Sequence, residues 1–301
     1  RSLRYQYGAD RGVYVPTTND AEWTIRVDAD VPDERPYVTG AVVRGLDLDE
    51  SALESLIQLQ EKLHATMGRE RAKGAIGVHD LTMLKGAPAG DGELTAAEAD
   101  DDRVTAPGGD GAGAGGEGSA TGGKSIRYTG IERDGDRFVP LDAEEEMSPQ
   151  EVLLAHPTGQ TYADLVDDYG RLPAIYDDVG LFSFPPVING RRTEVSTDSR
   201  DLFIEMTGTD QRTIDYMLNI VCYALDARGG RVEEVDVTYA DGAAGEHAGR
   251  TLRRPDFSTK TKRVAHADIE SMLGIDLDGE RVVDLLERAG MDAEVTDPDA
   301  D

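Results

Sequence analysis

Residues 185–210 read PPVINGRRTEVSTDSRDLFIEMTGTD, and the order of signals in this stretch sets the fold class. Two prolines stiffen and end one strand, Asn189-Gly190 is the dipeptide of a two-residue hairpin turn, and DLFIEM reads as a buried strand. Thr209 or Asp210 can cap the helix that follows, RTIDYMLNIVCYALDAR, where Ile214, Met217, Leu218, Val221 and Leu225 form one stripe and Cys222 lies beside them. Gly229 closes that helix. The strand is apolar on both faces except at Glu205, which is followed at once by Thr207, Gly208 and Thr209. Hydroxyls and backbone N–H groups at a helix N-terminus favour negative charge, so a buried acid there marks a candidate site. A carboxylate facing solvent at a strand end is the plainer alternative.

Outward from this stretch the chain alternates strands and helices. Residues 1–35 hold short strand-like pieces, VYVP and WTIRV, and read as the tail of a preceding domain. YVTGAVVRGL is a strand, and the helix after it carries Leu53, Leu56, Ile57, Leu63 and Met67 at helical spacing. Residues 86–124 are rich in Gly, Ala and Asp with no apolar period, so they read as a mobile surface insertion. No strand feeds them, so they do not read as a phosphate cradle. A short hairpin, YTGIERDGDRFVPL, comes next, and Ser148 and Pro149 then start a helical segment. VDVTY at 235–239 alternates as a half-buried strand. From about Thr251 a second unit begins, with a basic cluster at Arg253, Arg254, Lys260, Lys262 and Arg263 and two short helices, each ended by a glycine. The fold class is therefore α+β: mixed sheets with packed helices over 36–250, followed by a partial small α+β domain over 251–301.

The totals narrow the chemistry. In 301 residues, 60 acidic side chains stand against 31 basic ones, of which only six are lysines, and the net charge is −29. The acids are spread through segments with good apolar periodicity rather than gathered in one tail, which is the pattern of a folded protein adapted to high salt. A single cysteine, Cys222, excludes a disulfide framework and fits a reducing cytoplasm. No run of 18 apolar residues occurs, so no membrane partner is expected. The chain begins at Arg1 and stops just after the apparent start of a strand, and it reads as a piece of something larger. The five histidines show neither HExxH nor an i, i+4 pair, so no metal site is expected. His79-Asp80 could orient a base, but no GxSxG elbow supplies a nucleophile.

Three stretches, IQLQEKLHATMGRERAKGAIGVHDL (57–81), LPAIYDDVGLFSFPPVINGRRTEVSTDSRDLFIEMTGTD (172–210) and ADIESMLGIDL (267–277), carry a resemblance. In their order, from Tyr37 to Val295, they resemble the beta subunits of phenylalanyl-tRNA synthetases of the archaeal and eukaryotic type. The glycine-rich insertion is the main departure. The resemblance implies a B3/B4 editing module over 36–250 and an incomplete B5 domain over 251–301. It implies hydrolysis of tyrosine misattached to tRNA(Phe), with Glu205 accepting a hydrogen bond from the tyrosine hydroxyl. Ser183, Asn189, Gly190 and Thr207 would line the pocket, with Leu172 as an apolar wall. No residue stands out as a covalent nucleophile, so a positioned water would cut the ester. Arg69, Arg71, Lys73, Arg191 and Arg192 are candidate RNA contacts, with solvated surface as their plainer reading. The implied partners are tRNA(Phe) and a synthetase alpha subunit, in a heterotetramer of two alpha and two beta chains. No cofactor is implied for this stretch, while ATP and Mg²⁺ serve the whole enzyme. Two other readings stay open: a scaffold that has lost editing, and a free-standing B3/B4-like protein acting on another aminoacyl-RNA.

The charge pattern makes one expectation independent of any resemblance. The melting temperature should rise steadily from low to molar KCl as self-repulsion is screened. A melting curve insensitive to KCl contradicts the salt-adapted reading.

Overall fold

The computed structural model of the protein describes residues 21–88, 123–258 and 260–296. The described residues divide into one unit that ends at Pro255 and another that begins at Asp256. Along the first unit the elements run β1 (Trp23–Val27), β2 (Tyr37–Arg44), α1 (Glu50–Ala65), β3 (Gly74–Asp80), β4 (Ala87–Pro88) and β5 (Lys124–Ile131). Two short helices follow, α2 (Pro149–Ala155) and α3 (Pro157–Tyr162), and then β6 (Leu172–Tyr176), β7 (Leu181–Phe184) and β8 (Ile188–Asn189). The unit closes with β9 (Leu202–Gly208), α4 (Gln211–Asp226), β10 (Arg231–Glu233), β11 (Val235–Tyr239) and β12 (Thr251–Arg254). The second unit contributes α5 (His266–Leu273) and α6 (Gly279–Arg288), and no strand occurs among its described residues.

Two sheets are stacked. One has the order β10-β2-β9-β3, all antiparallel; the other runs β12-β11-β1-β5-β6-β7-β8 with β4 added on β5. Strand β9 is the centre of the smaller sheet and is buried along its whole length. Register assigns its two faces, because residues paired across antiparallel strands point the same way. Gly74 lies opposite Gly208, and a side chain there would meet Ile214 and Met217 of α4, so Leu202, Ile204, Met206 and Gly208 face the helices. Phe203, Glu205 and Thr207 consequently point at the larger sheet. Between the sheets Phe203 packs in one cluster with Trp23, Ile25, Val42, Tyr128, Phe182 and Val237. A second cluster, built on Val152, Leu153, Leu172, Phe184 and Val187, joins α2 to β6 and β7.

Several caps are as the sequence indicates. Asp210 caps α4 by accepting from the Thr213 N–H, and Ser148 forms a reciprocal capping box with Glu151 ahead of Pro149. The α4 stripe, Cys222 included, is fully buried. Other expectations need correction. Trp23–Val27 does not end a preceding domain but is an interior strand, paired in parallel to both β11 and β5, because its alternating Trp, Ile and Val fill the space between the sheets. Thr251–Arg254 likewise belongs to the first unit, as the antiparallel partner of β11. Asn189-Gly190 is not the hairpin turn: Pro185–Val187 turn the chain, and Gly190 sits at φ −79° within a bridge to Pro140. The stretch 128–141 makes no hairpin of its own; β5 pairs with β6, and Phe138 bridges Met147. Ile57 is 52% exposed, so α1 buries a narrower face, marked by Leu56, Leu63 and His64. The inserted segment's edges are ordered as β4 and the start of β5, while 89–122 lies outside the described residues, as does VYVP.

His64 ties α1 to β3. Its Nε2 accepts the Ile76 N–H at 2.9 Å, which requires the neutral ring, and burial together with the nearby Arg71 guanidinium pulls its pKa down to about 4. The unfolded chain therefore takes up a proton that the folded chain refuses, and stability conferred above pH 6.5 is lost as pH falls towards about 4. Urea titrations across that window should show stability dropping by up to about 1.4 kcal/mol per pH unit on this account. His64→Gln should remove that component. An identical pH slope in the variant would show that His64 carries none of it.

Candidate functional site

Glu205 is 1% exposed, and its carboxylate is held between the sheets. Its partners on the flanking strands are Gly40 of β2 and Gly77 of β3. A Cβ built on Gly77 would fall on the Glu205 carboxylate and lie 2.8 Å from His79 Nε2. Glycine is thus the residue that lets the acid and the imidazole lie over the β3 backbone. Glu205 Oε1 accepts from Ser183 Oγ at 3.2 Å, and Ser183 Oγ is also 3.1 Å from Asn189 Oδ1. Ser183 has one proton for two acceptors; turning the Asn189 amide gives the chain Asn189 N–H, Ser183 O–H, Glu205, which satisfies all three. His79 is completely buried, its Nδ1 lies 2.8 Å from Thr193 Oγ1, and its Nε2 is 3.7 Å from Glu205 Oε1. Glu205 Oε2 and His79 Nε2 are both buried without a hydrogen-bond partner. Leaving a buried polar atom unpaired costs about 1–3 kcal/mol, more when it is charged, so these two atoms are candidate anchors for a ligand's polar group.

A second buried charge stands beside them. Arg35 is fully buried and donates from Nε to Thr207 Oγ1 at 2.8 Å, and from a terminal nitrogen to Thr207 O at 2.9 Å and Arg71 O at 3.1 Å. Tyr128 donates its hydroxyl to Arg35 O at 2.7 Å. Burial pulls the guanidinium below its ordinary pKa, while Tyr128, Tyr169 and Glu205 act the other way. The same burial pushes the Tyr128 phenol well up, which keeps it a neutral donor. Arg69, Glu70 and Arg71 all have positive φ, at 49°, 53° and 69°. Such a left-handed run costs on the order of 1–2 kcal/mol per residue, and the Arg35 bond to Arg71 O helps to offset it. Arg71 in turn donates to Val187 O at 3.0 Å, stacks 4.1 Å over Tyr162 and so ties this turn to the turn between β7 and β8.

The sequence-derived site residues divide accordingly. Glu205, Ser183 and Asn189 form one hydrogen-bonded group, and Thr207 joins it through the same strand and Arg35. Gly190 donates its N–H to Phe182 O at 2.7 Å and its carbonyl accepts the Thr193 backbone N–H at 3.4 Å, holding the hairpin closed. Leu172 is a core residue of the second apolar cluster. The N–H groups at the mouth of α4 are not the open donors expected: Thr209 N–H binds Lys73 O at 3.1 Å, and the Thr213 N–H binds Asp210. Of the proposed RNA contacts, Arg71 is committed internally, and Arg192 makes a bidentate pair with the buried Asp177 at 2.7 and 3.0 Å. Lys73 lies 3.9 Å from Asp210, and Arg191 donates to Ala143 O. Arg69 is exposed. Arg253 and Arg254 pair with Asp236 and Asp215. Sequence reasoning undervalued His79 and missed Arg35 and Tyr128. For His79 the signal was present, since GAIGVHD is a buried strand in which it shares the inward face with Gly77. Among the described residues no group of three or more His, Cys, Asp or Glu could hold a metal ion, and no helix is long and apolar enough to cross a membrane.

No protein-family model matches the chain. Among curated proteins, it is 65% identical over 299 residues to the phenylalanine--tRNA ligase beta subunit of Haloarcula marismortui, covering 99% of this chain and 46% of that protein. It is 64% identical to the corresponding subunit of Natronomonas pharaonis, covering 98% of this chain and 45% of that protein, and 38% identical to that of Methanocella arvoryzae, covering 99% and 46%. Among solved structures, it matches an N-terminal fragment of the phenylalanyl-tRNA synthetase beta subunit from Pyrococcus horikoshii with a TM-score of 0.77 at 29% identity, covering 98% of this chain and 72% of that one. The chain spans about half the length of the curated relatives it matches. Sequence and fold agree over almost every residue of the chain, which belongs to the phenylalanine--tRNA ligase beta-subunit family.

Proposed function

We propose that this chain carries the site at which tyrosine wrongly joined to tRNA(Phe) is recognised and released by hydrolysis. The observation that carries the reading is Glu205 Oε2, a buried acceptor between two sheets with no partner of its own. An apolar pocket shaped for phenylalanine rejects an added hydroxyl only about a hundredfold, so a synthetase gains from a second site that selects for that hydroxyl. At such a site tyrosine gives Oε2 its missing donor, and phenylalanine leaves it unpaired. Ser183 holds the other oxygen and so fixes the carboxylate's direction. The ester then reacts with water, yielding free tyrosine and uncharged tRNA. The described donors at the α4 N-terminus are occupied internally, which favours a water positioned by the substrate's own ribose hydroxyl.

In this reading the unit ending at Pro255 is the editing module and the helical pair beyond it begins a B5-like domain. The partners are tRNA(Phe) and an alpha subunit, two copies of each chain, in the cytoplasm. ATP and Mg²⁺ belong to amino-acid activation elsewhere in the assembled enzyme. A net charge of −29 gives phosphate little to hold, so tRNA affinity comes largely from the rest of the assembly. In deacylation assays with the assembled enzyme in molar KCl, Glu205→Ala should slow hydrolysis of Tyr-tRNA(Phe) about 10- to 100-fold, the worth of one hydrogen bond to a charged group. A wild-type rate in this variant removes Glu205 from the site.

A further inference from the structure

We propose that His79 is a second specificity-determining residue of this site, donating its Nε2–H to the oxygen of the same hydroxyl whose proton Glu205 accepts. The inference rests on the editing reading above and adds to it a residue and a chemical requirement. The tautomer follows from the ring's other side. Thr193 Oγ1 lies 2.8 Å from His79 Nδ1 but 3.4 Å from Gly190 O, so the shorter contact takes the threonine proton and Nδ1 is the acceptor. Nε2 then carries a ring proton. The opposite tautomer would aim a bare lone pair at a carboxylate oxygen 3.7 Å away.

That 3.7 Å separation is too long for a direct hydrogen bond, and both Nε2 and Glu205 Oε2 are left without partners. One hydroxyl group completes both, since it has a proton for the carboxylate and lone pairs for the N–H. Phenylalanine completes neither. A para-amino group separates the two contributions: it can donate to Glu205, but its lone pair is drawn into the ring and it accepts poorly. Packing fixes the imidazole for this task, because Phe182 meets it edge-on at 4.9 Å and Gly77 leaves room beneath it.

The test is deacylation by the assembled enzyme of tRNA(Phe) charged with tyrosine, 4-aminophenylalanine or phenylalanine, with folding checked by melting temperature. The wild type should prefer tyrosine over 4-aminophenylalanine, and both over phenylalanine. His79→Asn keeps a polar atom near Thr193 but has nothing at the Nε2 position, and it should lower kcat/KM for tyrosine about tenfold. Its effect on 4-aminophenylalanine should be much smaller, so that the preference between the two collapses. His79→Gln, whose amide N–H reaches the Nε2 position, should restore the preference. A purely structural role would lower both substrates together. An unchanged tyrosine to 4-aminophenylalanine ratio in His79→Asn, with tyrosine still favoured over phenylalanine, overturns the role of His79 alone. A wild type that does not distinguish tyrosine from phenylalanine overturns the editing reading with it.

Discussion

A carboxylate cannot be buried between two sheets without compensation, and much of the arrangement around β9 answers that constraint. Desolvating an isolated ionised acid costs many kcal/mol, so nearby groups must either donate to it or balance its charge. Ser183 supplies one hydrogen bond and Arg35 supplies the opposite charge in the same interior. The second carboxylate oxygen receives nothing from the chain. A fold that satisfied Glu205 completely would be more stable, and under the proposed editing function the unpaired oxygen is the stability cost of selectivity.

Arg35 explains why distant pieces of chain converge there. Its guanidinium binds the side chain and carbonyl of Thr207, then the carbonyl of Arg71, and the Arg71 side chain continues to the turn that carries β7 into β8. Three segments that border the acid are thus fixed by two arginines. Arg71 was easy to misjudge, since an arginine in so acidic a chain suggests a phosphate contact. Here buried or half-buried arginines act as hydrogen-bond hubs for carbonyls, a task suited to a planar group with five donors.

Much of this was legible in the sequence because local signals and tertiary context agreed. The α4 stripe, the cap at Ser148 and the acid in an apolar strand follow from spacing alone. What was misread depended on partners far away in the chain. WTIRV has the alternation of a strand, but its place between β5 and β11 rests on parallel pairings that span about a hundred residues or more in sequence. Asn189-Gly190 has the residues of a tight turn, yet the prolines just before it turn the chain first and Gly190 is drawn into the bridge with Pro140. Arg35 precedes a proline in what reads as a linker, and nothing in its neighbourhood announces that it will be buried beneath Thr207. The resemblance to synthetase beta subunits assigns roles that spacing alone does not, and of the residues it names Glu205 and Ser183 share a hydrogen bond while Leu172 packs in the second apolar cluster.

The central claim is positional: the polar tip of an aromatic amino acid belongs beside Glu205, between the two sheets. A crystal structure of the protein with tyrosine joined to adenosine through a non-hydrolysable 3′-amide tests it most directly. The account predicts the phenolic oxygen within hydrogen-bond distance of Glu205 Oε2, with the ring lodged between β9 and β7. An aromatic ring bound elsewhere, with the Glu205 and Ser183 side chains undisturbed and no density between the sheets, would contradict it.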